Sequence, residues 1–383
     1  MFHLFGISGV LTAGGHSLHE RLIWTFFGNT LDVFFIISGF GLYLPVLRRG
    51  GEIGSISDWF LKRFARLQPE YWICLVVLVL MIAFVPTDFG APVPSIGDFL
   101  IHFFDLQTIY HLTDPGFRVG FFLGGGALWL VPVIAGLYLL FPLLVWMIGR
   151  NVYLTVLTAA LVTAGWKLGP VHLPDVFQAL SGRQVSDDVV RVVAADQTPA
   201  YLFSFTLGMV VAMIYEPAAR DPTSPRVRRG VKLCFLIGIP LFLLASINFT
   251  DVAMNSPDGI DGSTRGRNLA FNGLASTAAR AILVAGLILG PLWLQRPFAS
   301  RPAAWFARQS FGVYLIHLPV AFLILVYVSP PQTGTFVSLM VWIALVLPVS
   351  TVYGWCSRRL VGRPSSDAVN RWIRDRKQGT SQT

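Results

Sequence analysis

"GFFLGGGALWLVPVIAGLYLLFPLLVWMI" (residues 120–148) runs for 29 residues without one charged side chain. A helix needs about 20 apolar residues to cross the hydrocarbon core of a bilayer, and this run exceeds that length. Comparable runs lie at 30–47, 67–86, 151–166, 198–215, 231–248, 268–292, 309–328 and 334–356. That makes nine expected spans, and a shorter apolar stub occupies residues 1–12. Composition points the same way. Hydrophobic residues make up 54% of the chain and charged ones 13%, against about 25% charged in a soluble domain. The chain reads as a polytopic membrane protein.

The formal charge of +9 would suggest a nucleic-acid partner in a soluble protein; here its distribution decides. When connections are taken alternately, 21 of the 29 Lys and Arg residues fall in one set and 7 in the other, with Arg280 alone inside a span. The richer set holds Arg48, Arg49, Lys62, Arg63, Arg66, the Arg220–Lys232 cluster and seven residues from Arg358 to Lys377. By the positive-inside rule that set is cytoplasmic, so the C-terminus is expected inside and the stub at 1–12 runs outward. The expected fold is all-α, with about ten transmembrane helices in the inner or plasma membrane. The first is expected to be truncated, lacking about ten upstream residues. Residues 1–357 would form the integral membrane domain and 358–383 a basic cytoplasmic tail. Cys74, Cys234 and Cys356 show no metal-ligand spacing and read as inert core residues, and no metal site is expected.

Polar groups deep in a membrane are functional candidates. With a rise of about 1.5 Å per residue, His3, Ser38, Arg280 and His317 all fall near the middle of their spans. Each has a plainer reading. A membrane histidine often makes a helix–helix hydrogen bond, and Ser38 with Gly39 can be a small-residue packing patch. Arg280 should face a wet cavity or an anion, because its charge is not readily neutralised. His16, His19, His102, His111 and His172 lie between spans and read as surface residues. Lys62, Arg63 and Arg66 form a basic cluster before the second complete span. They are either topogenic charge with headgroup contact or a seat for phosphate.

Four stretches occur in an informative order: "LDVFFIISGFGLYL" (31–44), "FLKRFARLQPEYW" (60–72), "LWLVPVIAGLYLLFPLL" (128–144) and "ARQSFGVYLIHLPV" (307–320). In order and spacing they resemble the membrane-bound acyltransferase-3 family over nearly the whole chain. The resemblance implies transfer of an acyl group, acetyl foremost, from cytoplasmic acyl-CoA to a hydroxyl of a cell-envelope carbohydrate or lipid-linked saccharide. Acyl-CoA would be a donor substrate and not a bound cofactor; the bilayer would be a partner and nucleic acid would not.

The resemblance makes His3, in "FHLFG", the catalytic histidine, whose partner arginine would fall before Met1. It makes Arg63 and Arg66 donor-binding residues, and Ser38, Tyr314 and His317 match shared positions. Many members read Trp-Ser-Leu-Ser-Val-Glu where this chain has "LWLVPVIAGLYLL", so Ile134 or Ala135 stands in place of their acidic residue. Asp32 is then the nearest remaining acid that could orient the histidine. His3 would act as general base, and Arg280 would meet an anionic group or the developing oxyanion. The alternatives are a multi-helix transporter or flippase of an envelope precursor, or an inactive relative. Against a transporter stand the four motifs in register and the lack of an internal repeat.

Overall fold

The computed structural model describes residues 4, 8–9, 18–28, 30–83, 94–113, 128–173, 175–176, 179, 196–255 and 262–380. Among these residues every regular element is helical. In chain order they are α1 (Leu18–Phe27), α2 (Leu31–Leu47), α3 (Ile56–Ala83), α4 (Ile96–Phe103), α5 (Gln107–Thr113), α6 (Leu130–Arg150) and α7 (Val152–His172). A 3-10 turn (Thr198–Tyr201) leads into α8 (Leu202–Ala218), followed by α9 (Pro225–Asn255), α10 (Gly262–Leu289) and α11 (Leu292–Ala299). The chain continues through α12 (Arg301–Val328), α13 (Phe336–Ser357), a π turn (Arg358–Gly362) and α14 (Arg363–Thr380).

Nine helical segments among the described residues are long and apolar enough to cross a membrane. They coincide with the nine runs read from the sequence, while most of the stub at 1–12 lies outside the described residues. The helices present apolar side chains outward. Leu139, Leu161, Leu236 and Val352 are 68%, 63%, 70% and 62% exposed, an arrangement that is stable only where lipid replaces water. The protein is a multi-pass membrane protein.

Two compact units divide the chain. One comprises 1–12, 54–138 and 301–383; the other comprises 13–53 and 139–300. In the second unit α2 crosses α8 at close range. A Cβ built on Gly39 would sit 2.0 Å from the Phe205 carbonyl oxygen, and one on Gly208 would sit 2.0 Å from that of Ile36. Glycine at both positions lets the backbones approach, as small residues do between membrane helices. Ile36, Val211, Ala281 and Ala285 close the core where α10 joins them.

In the first unit α3 starts at Ile56, eleven residues before the run that begins at 67. Lys62, Arg63 and Arg66 therefore stand on its helical surface. The stretch between the second and third runs, read as a plain connection, folds into α4 and α5 instead. These return along α3: Trp72 Nε1 donates to the Phe103 carbonyl at 2.9 Å, and Gln107 Nε2 donates to the Tyr71 hydroxyl at 2.9 Å. Gln68 donates to Asp105. Ser95 caps α4 in a reciprocal capping box with Asp98, satisfying donors that a helix start would leave orphaned.

His102 corrects a sequence reading. It is 2% exposed, not a surface residue, and its Nδ1 donates to the Asp98 carbonyl at 2.9 Å. His172 is exposed as expected, while His16 and the side chains of His19 and His111 lie outside the described residues. All three cysteines are free thiols.

Candidate functional site

Asp32 stands in the first turn of α2, where the helix dipole favours a negative charge. It is 4% exposed. Its two oxygens are each met by a hydroxyl: Ser204 Oγ donates to Oδ1 at 2.7 Å and Thr277 Oγ1 to Oδ2 at 2.6 Å. Ser204 comes from α8 and Thr277 from α10, so one carboxylate ties three helices of the second unit. Charge-assisted bonds of this kind are roughly twice as strong as neutral ones.

Arg280 follows Thr277 by three residues on α10, on the same helix face. It is 5% exposed and within the electrostatic reach of Asp32. Its guanidinium donates to Ser276, lies 5.1 Å from the centre of the Phe242 ring, and so brings α9 into the cluster. Ser276 in turn bonds Ser246 at 3.0 Å. Where the sequence pointed to a wet cavity or an anion, protein groups already meet much of this charge. Ser38, also on α2, donates to its own helix at the Phe34 carbonyl (2.8 Å) and is not part of the cluster.

The first unit holds the other candidates. Arg63 is half-buried, 5.7 Å from the centre of the Trp59 ring, and Arg66 is exposed one turn on. Both guanidiniums act electrostatically on Tyr138, whose ring faces Trp59 at 6.0 Å. One turn beyond Arg66 lies a buried acid that sequence reasoning passed over. Glu70 is 8% exposed, accepts from Ser357 at 3.5 Å, and has Arg358 and Arg66 as electrostatic partners.

On α12, His317 is half-buried, and its Nδ1 lies 2.6 Å from the Tyr314 carbonyl oxygen. A carbonyl can only accept, so Nδ1 carries the hydrogen. The Tyr314 and His317 rings lie 5.6 Å apart. His3 lies outside the described residues.

Of the residues singled out from sequence, the structure brings Asp32 and Arg280 into one cluster within the second unit. Tyr314 and His317 adjoin within the first, as do Arg63 and Arg66. Thr277 and Ser276 had a usable signal, their helical spacing from Arg280. Ser204 had none, being one of two hydroxyls in "LFSFTLG".

A protein family described as an acyltransferase domain matches residues 1–356. Among curated proteins, the chain is 23% identical over 307 residues to the peptidoglycan O-acetyltransferase OatA of Listeria monocytogenes. The match covers 76% of this chain and 44% of that protein, so the chain spans about half the length of the curated relative it matches. No solved structure matches.

Proposed function

Because the chain belongs to the acyltransferase-3 family, we propose that it is a membrane O-acyltransferase that moves an acetyl group from cytoplasmic acetyl-CoA to a hydroxyl of a cell-envelope saccharide. A peptidoglycan-type glycan is the acceptor that the Listeria relative suggests. The observation that carries this reading is the buried Asp32–Thr277–Arg280 cluster inside an apolar bundle. Ionisable groups buried inside an apolar bundle are costly and mark functional positions.

The reaction needs three things. The acceptor hydroxyl attacks the thioester carbonyl while His3 takes its proton. The tetrahedral oxyanion needs positive charge or hydrogen-bond donors aimed at it. The C–S bond then breaks, and the thiolate leaves as CoA after taking the proton held by the histidine. Arg63 and Arg66, at the basic end of α3, hold donor phosphates through charge-assisted bonds. His317, whose Nδ1 is held by the Tyr314 carbonyl, positions the acceptor or supports proton transfer.

The test is acetyl transfer by the purified protein in liposomes, with labelled acetyl-CoA and glycan fragments. Labelled, O-acetylated glycan with release of CoA is expected. Glycan or lipid-linked precursor crossing the bilayer with no acyl turnover would overturn the proposal in favour of a transporter.

A further inference from the structure

The family match ends at residue 356, and the most strongly charged feature of the fold lies beyond it. Helix α14 does not trail away as a loose tail. It docks on the first half of α3 within one compact unit. Ile373 is 3% exposed in that contact, Ser366 Oγ reaches the Ala65 carbonyl at 3.5 Å, and Arg376 pairs with Asp58. Lys377 Nζ lies 3.2 Å from the other oxygen of the same carboxylate.

Docking leaves a groove of about 540 Å³ between the two helices, with Ile373 in its wall and Lys62 of α3 and Asp367, Asn370, Arg371, Arg374 and Lys377 of α14 as its polar lining. The α14 residues follow helical spacing, so one face of the helix supplies them. A space of this size is in the range of small-molecule sites.

The charge in the groove is unbalanced. Asp58 pairs with Lys377 and acts electrostatically on Lys62, and the groove's own carboxylate, Asp367, is drawn aside by Arg363 at 3.7 Å, so Arg371 and Arg374 carry the excess positive charge. Among the described residues, Arg371 and Arg374 form no ion pair. Like charges spaced three and four apart on a helix repel, and a bound anion would relieve that repulsion. Topogenic charge alone would need neither the docking nor the groove, since it acts through sequence position. Guanidinium pairs match the geometry of phosphate oxygens.

We propose that the groove between α3 and α14 binds a phosphate ester, seated by Lys62, Arg371 and Arg374. The ligand is either the phosphate of a soluble nucleotide or the headgroup of an anionic lipid; the recognising chemistry is the same. The inference does not depend on the identity of the acyl donor, because five of the six polar groups that line the groove belong to α14, beyond the family match.

The test uses the full chain in zwitterionic nanodiscs, with two probes. Adenosine 3′,5′-bisphosphate is titrated calorimetrically, and dioctanoyl phosphatidylglycerol is titrated against dioctanoyl phosphatidylcholine by native mass spectrometry. At least one phosphate probe should bind saturably. Affinity should fall at least tenfold in R371A/R374A, and less in R371K/R374K. N370D, which adds a carboxylate to the groove while keeping every cation, should also weaken binding, and it decides the question alone if the double alanine variant does not fold. Binding of the nucleotide only assigns the groove to a soluble ligand; binding of phosphatidylglycerol only assigns it to lipid. Failure of both probes to bind the unaltered protein, or affinity unchanged in these variants, overturns the proposal.

Discussion

Asp32 shows what one side chain can hold together. Its loss as Asp32→Ala leaves Ser204 and Thr277 without their charged acceptor, and each such bond is worth roughly 1.5–3 kcal/mol. It also leaves Arg280 buried without its nearest counter-charge. The variant should melt well below the unaltered protein in detergent, with Asp32→Asn in between because the amide still accepts one hydroxyl. His3 makes the opposite prediction. His3→Ala should leave abundance near normal but cut acetyl transfer by roughly 10²–10⁴-fold, the scale of a lost general base. His317→Ala should cost less. Arg63→Ala and Arg66→Ala should raise the KM for acetyl-CoA with membrane insertion intact. Unchanged donor dependence in both would reduce the pair to topogenic charge.

Helices meet through features that single residues only hint at. The α2–α8 crossing requires Gly39 and Gly208, whereas a Cβ at Gly41 meets nothing within 4 Å. Gly208→Leu should therefore abolish stable expression, while Gly41→Ala should leave the melting temperature nearly unchanged. The return of α4 and α5 along α3 carries a pH signature outside the spans. Burial pushes His102 down from its usual 6.5 to about 4 and pushes Asp105 up from 3.8 to about 7. The lowered histidine contributes stability that is present above pH 6.5 and is lost as pH falls toward 4. The raised aspartate contributes stability that is present below about pH 4 and is lost as pH rises through 7. Between pH 4 and 6.5 the two slopes oppose each other. Thermal melts should thus be flat in that window for these two groups. Asp105→Asn should make stability rise with pH, by up to about 1.4 kcal/mol per unit. Asparagine tolerates the positive φ of 57° at this position. His102→Asn should make stability fall with pH.

The first unit has a basic end, to which Lys62, Arg63, Arg66, Arg308, Arg358 and α14 contribute. If that end faces the cytoplasm, as the positive-inside rule requires, a C-terminal fluorescent protein should glow and a C-terminal alkaline phosphatase should stay inactive. The reverse pattern would invert the proposed donor and acceptor sides.

Nine spans and the class of the fold were legible because lipid imposes a minimum apolar length that can be counted along the chain. The same applies to Arg280, whose charge inside an apolar run is visible without coordinates. Four ordered motifs were enough to suggest the family that the comparisons then showed. What sequence left open concerns partners far apart along the chain. Ser204 and Thr277 meet Asp32 across 172 and 245 residues, a pairing no local pattern encodes. His102 looked solvated because it lies between spans, yet α4 folds inward, with Ser95 and Asp98 capping it and Trp72 holding its end. The basic character of the tail was legible too, but not that Ile373 and Asp58 give α14 a place to dock. Hydrophobic length is a property of a segment and so is written in the sequence. The neutralisation of a buried charge is a property of contacts, and only the tertiary structure decides which groups provide it.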